Sequence, residues 1–206
     1  MGVDGLQCVI PFLEKSTQLT SLNLSTNQVG TEGFELLVNA LNRGPIEELI
    51  LDCCGIESIA ALENCTLPKF HKLVLNANRI EGNSISALER HTTLKILCMR
   101  YNQIGIDGCT AIAGLLRGED TSLTELDLEY NNINDEGVEL IAASLKENIA
   151  LEILRLENKN DIAEKGHVAL LKLVNDVSSI ENTYKSNHTL IAVSYTHLTL
   201  PTILRV

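Results

Sequence analysis

Residues 94–104 read LKILCMRYNQI and residues 123–133 read LTELDLEYNNI. Each places an apolar residue at positions 1, 4, 6 and 11 and an asparagine at position 9. These are Leu94, Leu97, Met99, Ile104 and Asn102 in the first segment, and Leu123, Leu126, Leu128, Ile133 and Asn131 in the second. Working outward, the same pattern returns as Leu19-Leu22-Leu24-Asn27-Val29 and as Phe70-Leu73-Leu75-Asn78-Ile80. A fifth copy, Ile46-Leu49-Leu51-Cys54-Ile56, puts cysteine in the asparagine slot. A sixth, Leu151-Leu154-Leu156, reaches Asn160 and Ile162 one residue late, where a bulge is expected. Self-similarity on this scale is the signature of a solenoid.

The chemistry of the pattern predicts the local structure. Alternation around positions 4 and 6 sends every second side chain inward, so each copy should form a short strand. The strands are expected near 21–25, 48–52, 72–76, 96–100, 125–129 and 153–157, stacked in parallel. As the chain leaves each strand its amides and carbonyls lose ladder partners, and a buried asparagine carries both donors and an acceptor to satisfy them. Cys54 can do so only weakly.

Between strands, residues 33–43, 107–117 and 135–147 carry apolar residues at helical spacing, and Asp107 and Asp135 are the expected N-caps. The coils starting at residues 46 and 70 have room only for a shortened helix, around 57–63 and 84–90. Residues 5–15 read as the return helix of a coil whose strand is missing. First positions at 19, 46, 70, 94, 123 and 151 give spacings of 27, 24, 24, 29 and 28.

On these motifs the chain resembles the ribonuclease-inhibitor type of leucine-rich repeat, over residues 4–175. The resemblance implies an α/β horseshoe with parallel strands on the concave face and helices on the convex face. It also implies an intracellular, cytoplasmic setting and binding of a macromolecule rather than catalysis. The subtype includes ribonuclease inhibitors and a GTPase-activating protein, so regulation of an enzyme is the alternative function. A sensor fragment of a larger receptor-like protein is a third. The expected organisation is a repeat domain over 1–176, a degenerate or partial final repeat over 177–193, and a tail over 194–206. That tail breaks register, resembles translated cloning-adaptor sequence, and is read as artefactual or disordered. Unusual termini for a solenoid suggest a fragment of a longer protein.

Composition agrees. Of 206 residues 45% are hydrophobic but only 3% aromatic, with no tryptophan, which suits many small equivalent layers. A formal net charge of −11 argues against nucleic acid and makes a basic protein surface the expected complement. No apolar run is long enough to span a membrane. The six cysteines show no metal-ligand or dithiol spacing, and reduced thiols are expected. The five histidines fall at unrelated repeat positions, and no nucleophile elbow, phosphate loop or zinc motif occurs. No enzyme, cofactor or metal is therefore expected. Sequons stand at Asn23, Asn64 and Asn187.

Candidate binding residues come from the variable positions, whose side chains should leave the concave face. Position 5 carries Asn23, Ile50, Val74, Cys98, Asp127 and Arg155, and position 3 includes Ile96 and Glu125. Position 7 includes Arg100, Glu129 and Glu157, and position 8 includes Tyr101 and Tyr130. Ile50, Val74, Ile96, Cys98, Arg100, Tyr101 and Tyr130 are expected to form an apolar patch with interface anchors. Glu125, Asp127, Glu129 and Glu157 form an acidic group expected to receive basic partner residues, and Arg155 is a further candidate contact.

Overall fold

A computed structural model describes residues 2–118, 120–156, 160–176, 179 and 186–194. Among these residues seven parallel strands form one open, curved sheet in chain order: β1 (Ser21–Asn23), β2 (Glu48–Ile50), β3 (Lys72–Val74), β4 (Ile96–Cys98), β5 (Glu125–Asp127), β6 (Ile153–Arg155) and β7 (Ala192–Ser194). Their register aligns the position-4 residues Leu22, Leu49, Leu73, Leu97, Leu126, Leu154 and Val193 across the sheet. Strand starts match the sequence reading in all six expected coils. The strands end two residues sooner because position 8 turns left-handed: Thr26, Cys53, Ala77, Tyr101 and Tyr130 have φ between 54° and 62°. Backbone ladder bonds nonetheless continue into the corner, as from Tyr101 N–H to Glu129 O at 3.0 Å.

The return segments are helices α1 (Val3–Leu13), α2 (Gly30–Leu41), α3 (Gly105–Arg117), α4 (Asp135–Leu145) and α5 (Glu164–Val174). The two 24-residue coils keep only 3-10 helices, Ala60–Asn64 and Gly82–Leu88. Helices are wider than strands are apart, so stacking one behind each strand curves the sheet with its strands inside. Leu49, Leu73, Leu97, Leu126 and Leu154 are fully buried between the two layers.

The asparagine column works as its chemistry requires. Asn78 Oδ1 accepts the N–H groups of Cys54 and Ile56 in the preceding coil, while its Nδ2 donates to Leu51 O and Leu75 O. Asn160 fills the slot despite arriving late. It accepts from Asn131 N and Ile133 N and donates to Leu128 O and to Leu156 O, four residues back, where Asn78 reaches three back to Leu75. The expected bulge at 157–159 lies outside the described residues.

The expected N-caps are corrected. Asp107 sits within the first turn of α3 and caps nothing. The cap of α4 is Asn134, whose side chain accepts from Gly137 N at 3.1 Å. Asp135 reaches instead into the next coil, accepting from Ala163 N at 2.7 Å and Gly166 N at 3.0 Å at the start of α5. Its carboxyl is held below the ordinary aspartate range: burial opposes the shift, but the backbone donors of Ala163, Gly166 and Lys165 together prevail.

The segment read as degenerate contains a built turn. Asn187 is buried, donates to Leu145 O and Asn148 O, and accepts from Thr189 N and Leu190 N. Asn148, also three residues before a position-1 leucine, makes the equivalent bonds one coil earlier, to Leu116 O and from Ala150 N and Leu151 N. The sequon at Asn187 is thus a structural amide. Ser194, taken as the start of the tail, closes β7 opposite Arg155; residues 195–206 lie outside the described ones.

Candidate protein-binding face

The strands carry the position-5 residues Ile50, Val74, Cys98, Asp127 and Arg155 in one register-aligned column on the concave face. The apolar stripe is less open than expected. Val74 is 8% exposed, while Ile50, Ile96 and Cys98 are half-buried, because strands this close lean their side chains on one another. Of the candidate apolar and aromatic residues, only Tyr101 is exposed, at 46%. Burial first, then the carboxylates of Asp127 and Glu125, push the Cys98 thiol up to about 11, so it is a packing group and not a nucleophile.

The acidic edge is also changed by its neighbours. Arg155 pairs with Glu125, and Arg100 Nε lies 3.0 Å from Glu129 Oε2, an ion contact without aligned hydrogen-bond geometry. Glu129 is only 6% exposed, so it anchors Arg100 rather than standing open to a partner. Burial raises the Asp127 carboxyl, against the opposing influences of the Glu129 N–H and the two arginines.

Position 7 hides a second ladder that the sequence reading missed. Ser25 Oγ accepts from Asp52 N, Asp52 Oδ1 from Asn76 N, and Asn76 Oδ1 from Arg100 N, at 3.0, 2.8 and 2.9 Å. Each side chain satisfies the amide of its counterpart in the next coil. Arginine has no acceptor, so the series stops at Arg100. The Glu129 amide turns instead to Asp127 Oδ1 at 3.1 Å, just as Ser25 N in the first coil uses Asn23 Oδ1 at 3.0 Å. The signal was legible: Ser, Asp and Asn are acceptors at one repeat position, followed by an arginine.

Beyond that break lies the best-defined surface feature. Tyr101 and Tyr130 stack with centroids 3.9 Å apart and planes 24° from parallel. The Arg100 guanidinium carbon is 5.3 Å from one centroid and 5.1 Å from the other. Both tyrosines occupy left-handed corner positions where glycine or asparagine is more comfortable. Arg100, Tyr101, Glu129 and Tyr130 form one cluster across the fourth and fifth coils. Ile50 stands two strands away from it, in the column that Val74 and Cys98 continue.

Four surface grooves formed by described residues lie away from this face. One of about 540 Å³ is lined by Leu116, Ser144, Asn148 and Ile149, at the turns from helix to strand. Among the described residues no group of three or more His, Cys, Asp or Glu side chains could hold a metal, and no helix is long and apolar enough to cross a membrane.

Residues 15–38, 90–113 and 119–142 match the Leucine Rich repeat family. The chain is 31% identical over 167 residues to the ribonuclease inhibitor of Sus scrofa, a match covering 74% of this chain and 36% of that protein. It is 28% identical over 184 residues to NACHT, LRR and PYD domains-containing protein 5 of Homo sapiens, covering 83% of this chain and 15% of that one. The chain thus spans roughly a third or less of the length of these relatives. In structure it resembles an internalin from Listeria monocytogenes, with a TM-score of 0.57 at 23% identity over 79% of this chain and 48% of the internalin.

Proposed function

Because the chain is a leucine-rich-repeat solenoid of the ribonuclease-inhibitor-like type, and so a protein-interaction module, we propose that it holds a protein partner on its concave strand face as a binding or scaffold surface. The supporting observation is the stacked Tyr101–Tyr130 pair with Arg100 alongside, the kind of aromatic and arginine cluster that anchors interfaces. The half-buried column of Ile50, Cys98 and Asp127, with Val74 beneath, provides the surrounding contact area. All six cysteines are unpaired, in keeping with a reducing compartment such as the cytoplasm.

Replacing Tyr101 and Tyr130 together with alanine tests the reading. Affinity for a protein captured by the full chain should fall more than about tenfold, since an anchor residue commonly contributes about 2 kcal/mol or more. The circular dichroism spectrum should be unchanged. Unaltered affinity, with a large loss on replacing the helix-side residues Glu139 and Lys146, would move the site to the convex surface. Similarity to ribonuclease inhibitors supports a second reading, in which the bound partner is an enzyme and its activity changes on binding. Turnover by the captured partner, with and without the chain, separates regulation from passive scaffolding.

A further inference from the structure

We propose that the open face of Tyr101, above Ala77, is a seat for an arginine side chain of the partner. This rests on the concave-face reading and specifies its chemistry. Position 8 runs Thr26, Cys53, Ala77, Tyr101, Tyr130 through successive coils, and adjacent strands stand about 5 Å apart. Tyr130 covers one face of the Tyr101 ring at 3.9 Å. On the other side, one strand earlier, position 8 is Ala77, whose side chain is a single methyl group and is exposed. A planar group therefore finds one vacant step in an existing stack.

Arg100 leaves that step free. Its guanidinium carbon is nearly equidistant from the two ring centroids, at 5.3 and 5.1 Å, which places it beside the stack. A group lying on the outer face of Tyr101 would be much farther from Tyr130 than from Tyr101. The exposure agrees: Tyr101 is exposed and Tyr130 is not.

Charge selects the occupant. Within six residues of position 8 along the second to fourth coils, the sequence carries Glu47, Glu48, Asp52, Glu57, Glu81 and Asp107 against Lys72, Arg79, Lys95 and Arg100. Arg100 is already matched by Glu129. The surplus is negative, as it is for the chain as a whole at −11. A guanidinium satisfies both demands, being flat enough to stack on a tyrosine face and cationic, whereas an ammonium is a compact, strongly hydrated point charge.

The test titrates the full chain with a short oligo-arginine peptide and an oligo-lysine peptide of equal length, at one fixed ionic strength. Non-specific attraction to an acidic chain acts on both. Arginine should be preferred by about two- to fivefold, the range of one cation–π contact at a surface. Tyr101→Leu removes the ring, and Ala77→Leu covers it with an aliphatic group that offers no π face. In each the arginine peptide should weaken to parity while the lysine peptide and the circular dichroism spectrum stay unchanged. Parity in the wild-type chain, or a preference that survives in the folded Tyr101→Leu or Ala77→Leu chain, overturns the proposal. If the preference is absent but the Tyr101/Tyr130 double replacement still releases the captured partner, the concave face binds and only the arginine assignment falls.

Discussion

Asp127 shows how one residue can be mistaken for open binding chemistry. It was read as an acidic contact for a partner, yet its Oδ1 closes the amide that the arginine at position 7 of the preceding coil leaves without an acceptor. Asp127→Val should therefore destabilise the chain by about 1 to 3 kcal/mol, the cost of stranding a polar group in a half-buried site. Asp127→Asn, which keeps an acceptor oxygen, should melt close to wild type. Denaturant midpoints for the two variants check this, and equal losses would show that the charge matters and the acceptor does not. The role was hard to read although the repeat puts Arg100 and Glu129 at one position, because the hydrogen bond that Asp127 replaces runs between coils and is seen only once they are stacked.

Helices and their corners depend on how closely successive coils approach. A side chain at Gly108 would put Cβ 2.4 Å from Ile104 Cγ2 and 3.0 Å from the backbone of Gly82 in the preceding coil, where the two corners touch. Gly108→Ala should cost about 1 to 3 kcal/mol through overpacking. In the same helix, Gly114→Ala would meet only Glu89 Oε1 at 3.6 Å, and should stabilise α3 by about 0.5 to 1 kcal/mol through helix propensity. Thermal melts of the pair should move in opposite directions. Asp135 makes the same point with charge, because it belongs to α4 but its carboxylate serves the first turn of α5. Its pKa is lower in the folded chain than in the unfolded one, so its contribution is present above the ordinary aspartate value of about 3.9 and is lost as pH falls through the folded value. Asp135→Ala should lower Tm at pH 7, and the gap from wild type should close in acid. A gap that stayed constant down to pH 2, about two units below that ordinary value, would contradict a role for the carboxylate charge.

The whole molecule behaves as a stack in which each coil is held by its neighbours. Leu126 is fully buried and lies in register between Leu97 and Leu154. Leu126→Ala should cost about 2 to 5 kcal/mol, with hydrogen-exchange protection lost first in β4 to β6. An unchanged denaturant midpoint would be incompatible with this packing. By itself the sequence determined the repeat, the strand starts, the inward leucines and the asparagine slot, because each follows from a period read along one chain: alternation sets the inner face, and an amide is needed wherever the ladder ends. It also marked Tyr101 and Tyr130 as neighbours, since equivalent positions in successive coils must lie one strand apart. What the tertiary structure alone decided is which variable residues remain available. Val74 and Glu129 proved buried, Glu125 and Arg155 were already paired, and Asp135 capped a helix other than its own. The reason is that exposure and pairing are set between coils, by the spacing of stacked strands and the close approach of corners, and a period along the chain carries no measure of either.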